Sequence, residues 1–95
     1  MRPHDPVFEP LRGKRRTVRQ ALIEVAERWM ASPIEDPAAR AALEDAVRHK
    51  LHRGEIDREL PPGIDAAALA RQFVAGLVAG EGAAVVARIL PPPGS

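Results

Sequence analysis

Residues 72–86 read QFVAGLVAGEGAAVV, and the fold turns on what surrounds them. An uninterrupted run of small and apolar residues from Phe73 to Gly80 precedes a lone Glu81, after which Ala and Val resume. A surface helix shows one apolar stripe and one polar face, and this stretch shows neither. A membrane span takes about 20 predominantly apolar residues, and Arg71, Glu81 and Arg88 interrupt the only candidate segment. The stretch therefore reads as part of a helix covered by other protein. Asp65 is a suitable N-cap for it, and the pattern predicts helix over residues 66–90. Gly76, Gly80 and Gly82 each cost about 1 kcal/mol relative to alanine in a helix interior, so Gly80-Glu81-Gly82 marks the place for a bend.

Two further helices are predicted upstream. Val18, Ala21, Leu22, Val25, Ala26 and Trp29 follow the helical spacing i, i+3, i+4, i+7, i+8, i+11. Pro10 suits a first helical position, which sets this helix at about residues 10–31, and Ser32-Pro33 ends it. Asp36 then offers an N-cap and Pro37 a first-turn residue. Ala39, Ala42, Leu43, Ala46, Val47 and Leu51 line one face of the second helix, over residues 37–53. Gly54 is placed at the left-handed position beyond its end. Residues 54–63, GEIDRELPPG, form a loop because Pro61-Pro62-Gly63 excludes helix. No strand signal appears. The expected architecture is all-α: an arm over residues 1–9, partly docked through Val7 and Phe8, one helical domain over 10–90 and a frayed tail over 91–95.

Composition limits what such a domain can be. Ninety-five residues make one small domain with only three aromatic residues, Phe8, Trp29 and Phe73, so its core is thin and its helices close. A chain of this size buries only about 60–65% of its unfolded surface, and association adds stability. The absence of cysteine excludes disulfides and thiolate metal sites and fits a cytoplasmic protein. The opening Met1-Arg2-Pro3-His4 leads into no apolar signal region. Residues 1–19 carry six Lys/Arg against two acids, a net +4, and residues 20–95 carry eight against eleven, a net −3.

On a continuous helix over 66–90, Leu69, Phe73, Leu77 and Ala84 share one face. Val74, Val78, Val85 and Ile89 share a second, and Gly76, Ala79, Gly80 and Ala83 a third. Two other helices, each with one stripe, cover the first face and part of the third. The Val face needs another cover: the arm and the Pro-Pro-Gly loop folded back, or a second copy of the chain. Two-fold dimers are the commonest assembly, and the expectation is a homodimer through Val74, Val78, Gly80, Val85 and Ile89.

The run RGEIDRELPPGIDAAALARQFVAGLVAG, residues 53–80, followed by GAAVVAR, resembles the C-terminal region of TetR-type transcriptional repressors. The shared order is Arg53-Gly54-Glu55-Ile56, then Pro61-Pro62-Gly63-Ile64-Asp65, then a small-residue helix from Ala66. The similarity covers residues 40–90, and more loosely 5–30. It implies a two-fold bundle interface and a pocket for a small apolar effector. Trp29, at the end of the first helix, with Phe73 and Leu77 is the candidate lining of a pocket, and the more common role of such a Trp is as the largest core residue. The family's helix-turn-helix should precede this region, and no such segment is present here. The resemblance therefore implies a fragment or a stand-alone relative, and direct DNA binding by this chain is not expected. The alternative function is a small adaptor or subunit that binds a different protein through the apolar helix face.

Other candidate chemistry is sparse. Arg12, Lys14, Arg15, Arg16 and Arg19 form a basic contact patch for phosphates or an acidic partner, but no aromatic residue lies among them for base stacking. A solvated first helical turn explains the same residues. Asp45, His49 and His52 follow a helical spacing that suits a metal, yet they lie away from the apolar stripe, so no metal is expected. Thr17, Ser32 and Ser95 are the only hydroxyls, and no nucleophile–base pair emerges. No catalytic residue and no cofactor is expected.

Overall fold

In the computed structural model, which describes residues 5–12 and 16–90, the chain is an all-α bundle. Its helices are α1 (Asp5–Phe8), α2 (Val18–Ala31), α3 (Pro37–Ile56), α4 (Ala66–Val78) and α5 (Ala84–Ile89), with a 3-10 turn over Glu9–Leu11. α3 and α4 make the most extensive packing, and α2 touches α1, α3, α4 and α5.

α2 begins later than the pattern around Pro10 suggests. Thr17 and Gln20 form a capping box: the Thr17 side chain accepts from Gln20 N at 3.1 Å, and Gln20 Oε1 accepts from Thr17 N at 3.3 Å. Such a pair satisfies two backbone donors that the first turn leaves open. The predicted stripe is buried, with Val18, Ala21, Leu22, Val25, Ala26 and Trp29 all in the core. Upstream, the expected arm is partly helical. Val7 is buried and Phe8 partly so, and Arg28 Nη1 donates to Pro6 O at 2.7 Å, tying α1 to α2.

The caps at the starts of α3 and α4 stand where the sequence places them. Asp36 accepts from Ala39 N at 3.0 Å with Pro37 behind it, and Asp65 accepts from Ala68 N at 3.0 Å. On α3 the buried line is Leu43, Val47, Leu51 and Gly54, while Ala42 faces solvent. In the link between α2 and α3, Ile34 is fully buried and its carbonyl accepts from Arg40 Nε at 2.7 Å.

Gly54 is not the left-handed cap. α3 runs on to Ile56, and the left-handed residue is Arg58, with φ 64°. Glu59 N donates to Gly54 O at 2.8 Å and Arg58 N to Glu55 O at 3.1 Å, the paired bonds of a Schellman stop. Gly54 sits inside the last turn for a packing reason. A Cβ there would lie 2.5 Å from Val18 Cγ2 and 3.2 Å from Leu60 Cδ1. The start of α2 and the loop residue Leu60 thus both press on bare backbone.

The helix expected over 66–90 is broken where its glycines predict a bend. α4 stops at Val78 by a second Schellman arrangement, with Glu81 N donating to Gly76 O at 2.9 Å and Gly80 N to Leu77 O at 3.1 Å. Gly80 has φ 87° and Gly82 φ 60°, backbone that side chains with a Cβ rarely adopt. The chain turns there and α5 folds back onto α4 and α2. Gly76 makes room for it: a Cβ on Gly76 would collide with Val85 Cγ2.

The close approach at Gly54 yields a direct test. Gly54→Val should destabilise the domain by about 1–3 kcal/mol, the usual cost of overpacking, and lower the melting temperature by roughly 4–8 °C per kcal/mol. An unchanged melting curve would mean that α2 and α3 do not meet at this position.

Candidate functional site

The residues proposed for a dimer seam are divided by the break in the helix. Val74, Val85 and Ile89 are buried in the core of their own chain, because α5 folds back and covers the Val face itself. Gly80 is exposed in the turn, and Val78 is 51% exposed. In the folded-back single chain, Val74, Val85 and Ile89 are thus covered by their own chain and only the middle of the face is open.

Beside the turn that follows that open position stands one exposed apolar residue that the sequence did not single out. Met30, at the end of α2, is 54% exposed. Its Cγ lies 3.6 Å from where a Cβ on Gly82 would stand, so Met30 borders the turn that follows Val78. Ala75, Ala79, Ala83 and Ala84 are also exposed. Large hydrophobics this exposed on both sides of one turn are more informative than scattered apolar residues, which every surface carries. Helical periodicity places Met30 one position past the Trp29 stripe; only the tertiary fold brings it beside Gly82 of the 79–83 turn.

Trp29, Phe73 and Leu77 do come together, but as core. Their exposures are 3%, 0% and 1%, so they fill the space between helices and line no open effector cleft. The Arg40 guanidinium lies 5.7 Å from the Trp29 ring centroid, a cation–π arrangement over the edge of the core. An apolar groove of about 340 Å³ lies elsewhere, between Leu60, Ile64, Leu69, Ile89 and Leu90. Leu60 and Leu90 are far apart in sequence, which is why the local pattern did not reveal it.

Of the basic patch, Lys14 and Arg15 lie outside the described residues, and Arg12 is exposed. Arg16 is paired with Glu24, and its carbonyl accepts from Lys50 Nζ at 3.2 Å. Arg16, His49, Lys50 and Arg53 line a cleft of about 270 Å³ shared with Asp57 and Glu59. Glu59 Oε2 accepts from Val18 N at 2.9 Å, so one acid of this cleft holds the first turn of α2. The cleft is thus of mixed sign rather than a uniform cationic track. Arg19 is half-buried on α2.

Asp45 pairs with Arg48, and His49 Nε2 lies 3.9 Å from Asp45 Oδ2. The hydrogen bond from Arg48 holds the Asp45 carboxyl below its usual range. Among the described residues no group of three His, Asp or Glu is arranged to hold a metal ion, and no helix is long and apolar enough to cross a membrane. No family model matches the chain, and neither a curated protein nor a solved structure does.

The ion pair that holds the turn after α1 against α2 can be titrated. Arg28 Nη1 also donates to Glu9 Oε2 at 3.0 Å, and this hydrogen bond, then the guanidinium charge, holds the Glu9 carboxyl below its usual range. A depressed carboxylate contributes stability above its unfolded pKa and loses it as pH falls through the folded value. Glu9 is fully exposed, so its contribution is small. Arg28→Ala should raise the Glu9 titration, followed by NMR, toward that of a free glutamate, with Arg16 and Arg12 still lowering it slightly. A Glu9 titration indifferent to Arg28 would mean that α1 is not held in this way.

Proposed function

We propose that the chain is a homodimerising helical domain with a regulatory role of the kind found in TetR-type repressors. The observation that carries the association is the exposure of Val78 and Met30 on either side of the α4–α5 turn, 51% and 54%. Burying these side chains, with the alanines beside them, between two copies removes apolar area from water at about 25 cal/mol per Å². A two-fold axis makes one patch serve as its own partner. The regulatory part of the reading rests on the resemblance over residues 40–90, which concerns the dimerising and effector-binding region of those repressors. An effector in this reading is a small apolar molecule, and its seat is the groove of Leu60, Ile64, Leu69, Ile89 and Leu90 rather than the Trp29–Phe73–Leu77 core.

Two substitutions separate association from folding. Val78→Glu places a carboxylate on a half-exposed position, so the isolated fold should change by no more than about 0.5–1 kcal/mol. In a dimer seam the same carboxylate is desolvated on both subunits, and the mass measured by light scattering should fall to that of one chain. Phe73→Glu puts the charge at a fully buried position. An unpaired buried charge costs several kcal/mol against a total stability of about 5–15 kcal/mol, so helical circular dichroism should collapse. A wild-type chain that stays monomeric, with Val78→Glu no different from it, would turn the reading toward docking on a different protein.

A further inference from the structure

The sequence of the last two helices suits a conformation different from the one that it adopts in the single chain. Val74, Val78, Val85 and Ile89 have the spacing i, i+4, i+11, i+15, which aligns side chains along one face only on an unbroken helix. The fold-back dismantles that face. Val74, Val85 and Ile89 are buried in the core and Val78 is left outside. The interruption is short, residues 79–83, and contains no proline. Its special features are the positive φ values of Gly80 and Gly82.

Val85, Val86 and Ile89 of α5 are buried against a seat formed by α4 and α2, where Gly76 admits Val85. Straightening the turn would carry them away from that seat. A helix over residues 66–89 is about 36 Å long at 1.5 Å per residue, as long as the whole domain, whose greatest extent is 35 Å. An extended α5 thus uncovers two surfaces at once: its own apolar side and the seat it left. The surface that matches both is the same pair on a second copy, each α5 filling the other's seat. The bidentate pair of Arg88 with Glu81, at 3.0 and 2.9 Å, belongs to the folded-back form. On a straight helix these residues are two turns apart.

We infer that the 79–83 turn is a hinge through which two copies exchange α5, so that the homodimer is domain-swapped and joined by continuous helices over residues 66–89. This rests on the homodimer proposed above and specifies how it forms. Exchange of an identical element needs no new interface chemistry, since every core contact of α5 is remade in trans. In the exchanged form the Val74–Val78–Val85–Ile89 face exists, and Val78 lies within it.

Two variants tilt the hinge in opposite directions, read by sedimentation equilibrium with circular dichroism as the control for folding. Ala83 has φ −64°, which proline adopts, whereas proline inside a continuous helix removes a hydrogen bond and clashes with the preceding turn. Ala83→Pro should therefore keep the folded-back form and weaken dimerisation roughly tenfold or more. The double variant Gly80→Ala/Gly82→Ala should strengthen dimerisation roughly tenfold or more, because alanine resists positive φ and favours helix. No neighbouring atom lies within 4 Å of a Cβ at position 80, and none closer than 3.6 Å at position 82, so crowding does not confound the result. An Ala83→Pro dimer as tight as wild type, or a double variant that dimerises no better, overturns the exchange while leaving homodimerisation standing. A wild-type chain with no dimer at any concentration overturns both.

Discussion

How closely two backbones can approach governs this domain. With Phe8, Trp29 and Phe73 as its only aromatic residues, the core cannot be filled by large rings, and the helices must close on one another instead. Two glycines let them. Gly54 near the end of α3 receives Val18 and Leu60, and Gly76 near the end of α4 receives Val85. Each lies three residues before its helix's C-cap, Asp57 or Ala79. Each also supplies the carbonyl that accepts the outer of the two bonds of its Schellman stop, from the amide five residues on. The same residue type thus ends the helix compactly and lets the next element press on it. Adding a Cβ at either place forces side chains apart in an interior that has little slack.

The two stops differ in one respect, and that difference bears on the proposed association. After α3 the left-handed position is held by Arg58, and after α4 by Gly80. A left-handed residue with a Cβ is costly, and Arg58 is kept there by what surrounds it: Glu59 binds Val18 N, and Leu60 is buried against Gly54. The turn at Gly80 has fewer ties. Its Cβ position touches nothing, Met30 and Val78 beside it are half exposed, and the Glu81–Arg88 pair is open to solvent. Exposed ion pairs contribute about 0–1 kcal/mol. In the proposed account, the apolar surface used for association and the turn that releases α5 therefore occupy one place in the fold.

Local signals carried much of the architecture. Asp36-Pro37 and Asp65 announce helix starts through chemistry confined to one turn, and the stripe from Val18 to Trp29 reads as a single helical face. The break after Val78 was visible as a cluster of glycines. What was not legible depended on distant neighbours. Gly54 looks like a helix stop from its own segment, and only the presence of Val18 and Leu60 makes it an interior packing position. Thr17 and Gln20 form a capping box, but Pro10 offered a competing start. Periodicity marks Trp29 on one helix and Phe73 and Leu77 on another as apolar-face residues without distinguishing a filled core from a cleft. The Val face is periodic in the sequence, yet periodicity alone does not say whether the helix carrying it is continuous.

That continuity is the central claim, and a distance measures it. Ala75 and Ala87 are both exposed, one on α4 and one on α5, in a chain that has no cysteine of its own. Spin labels on Ala75→Cys/Ala87→Cys, diluted into excess unlabelled protein, report the distance within one chain by electron paramagnetic resonance. The account predicts a single short distance at low protein concentration. A second population, near the roughly 18 Å rise of twelve helical residues, should grow as the concentration is raised. One short distance at every concentration, in a sample that is dimeric by mass, would contradict it.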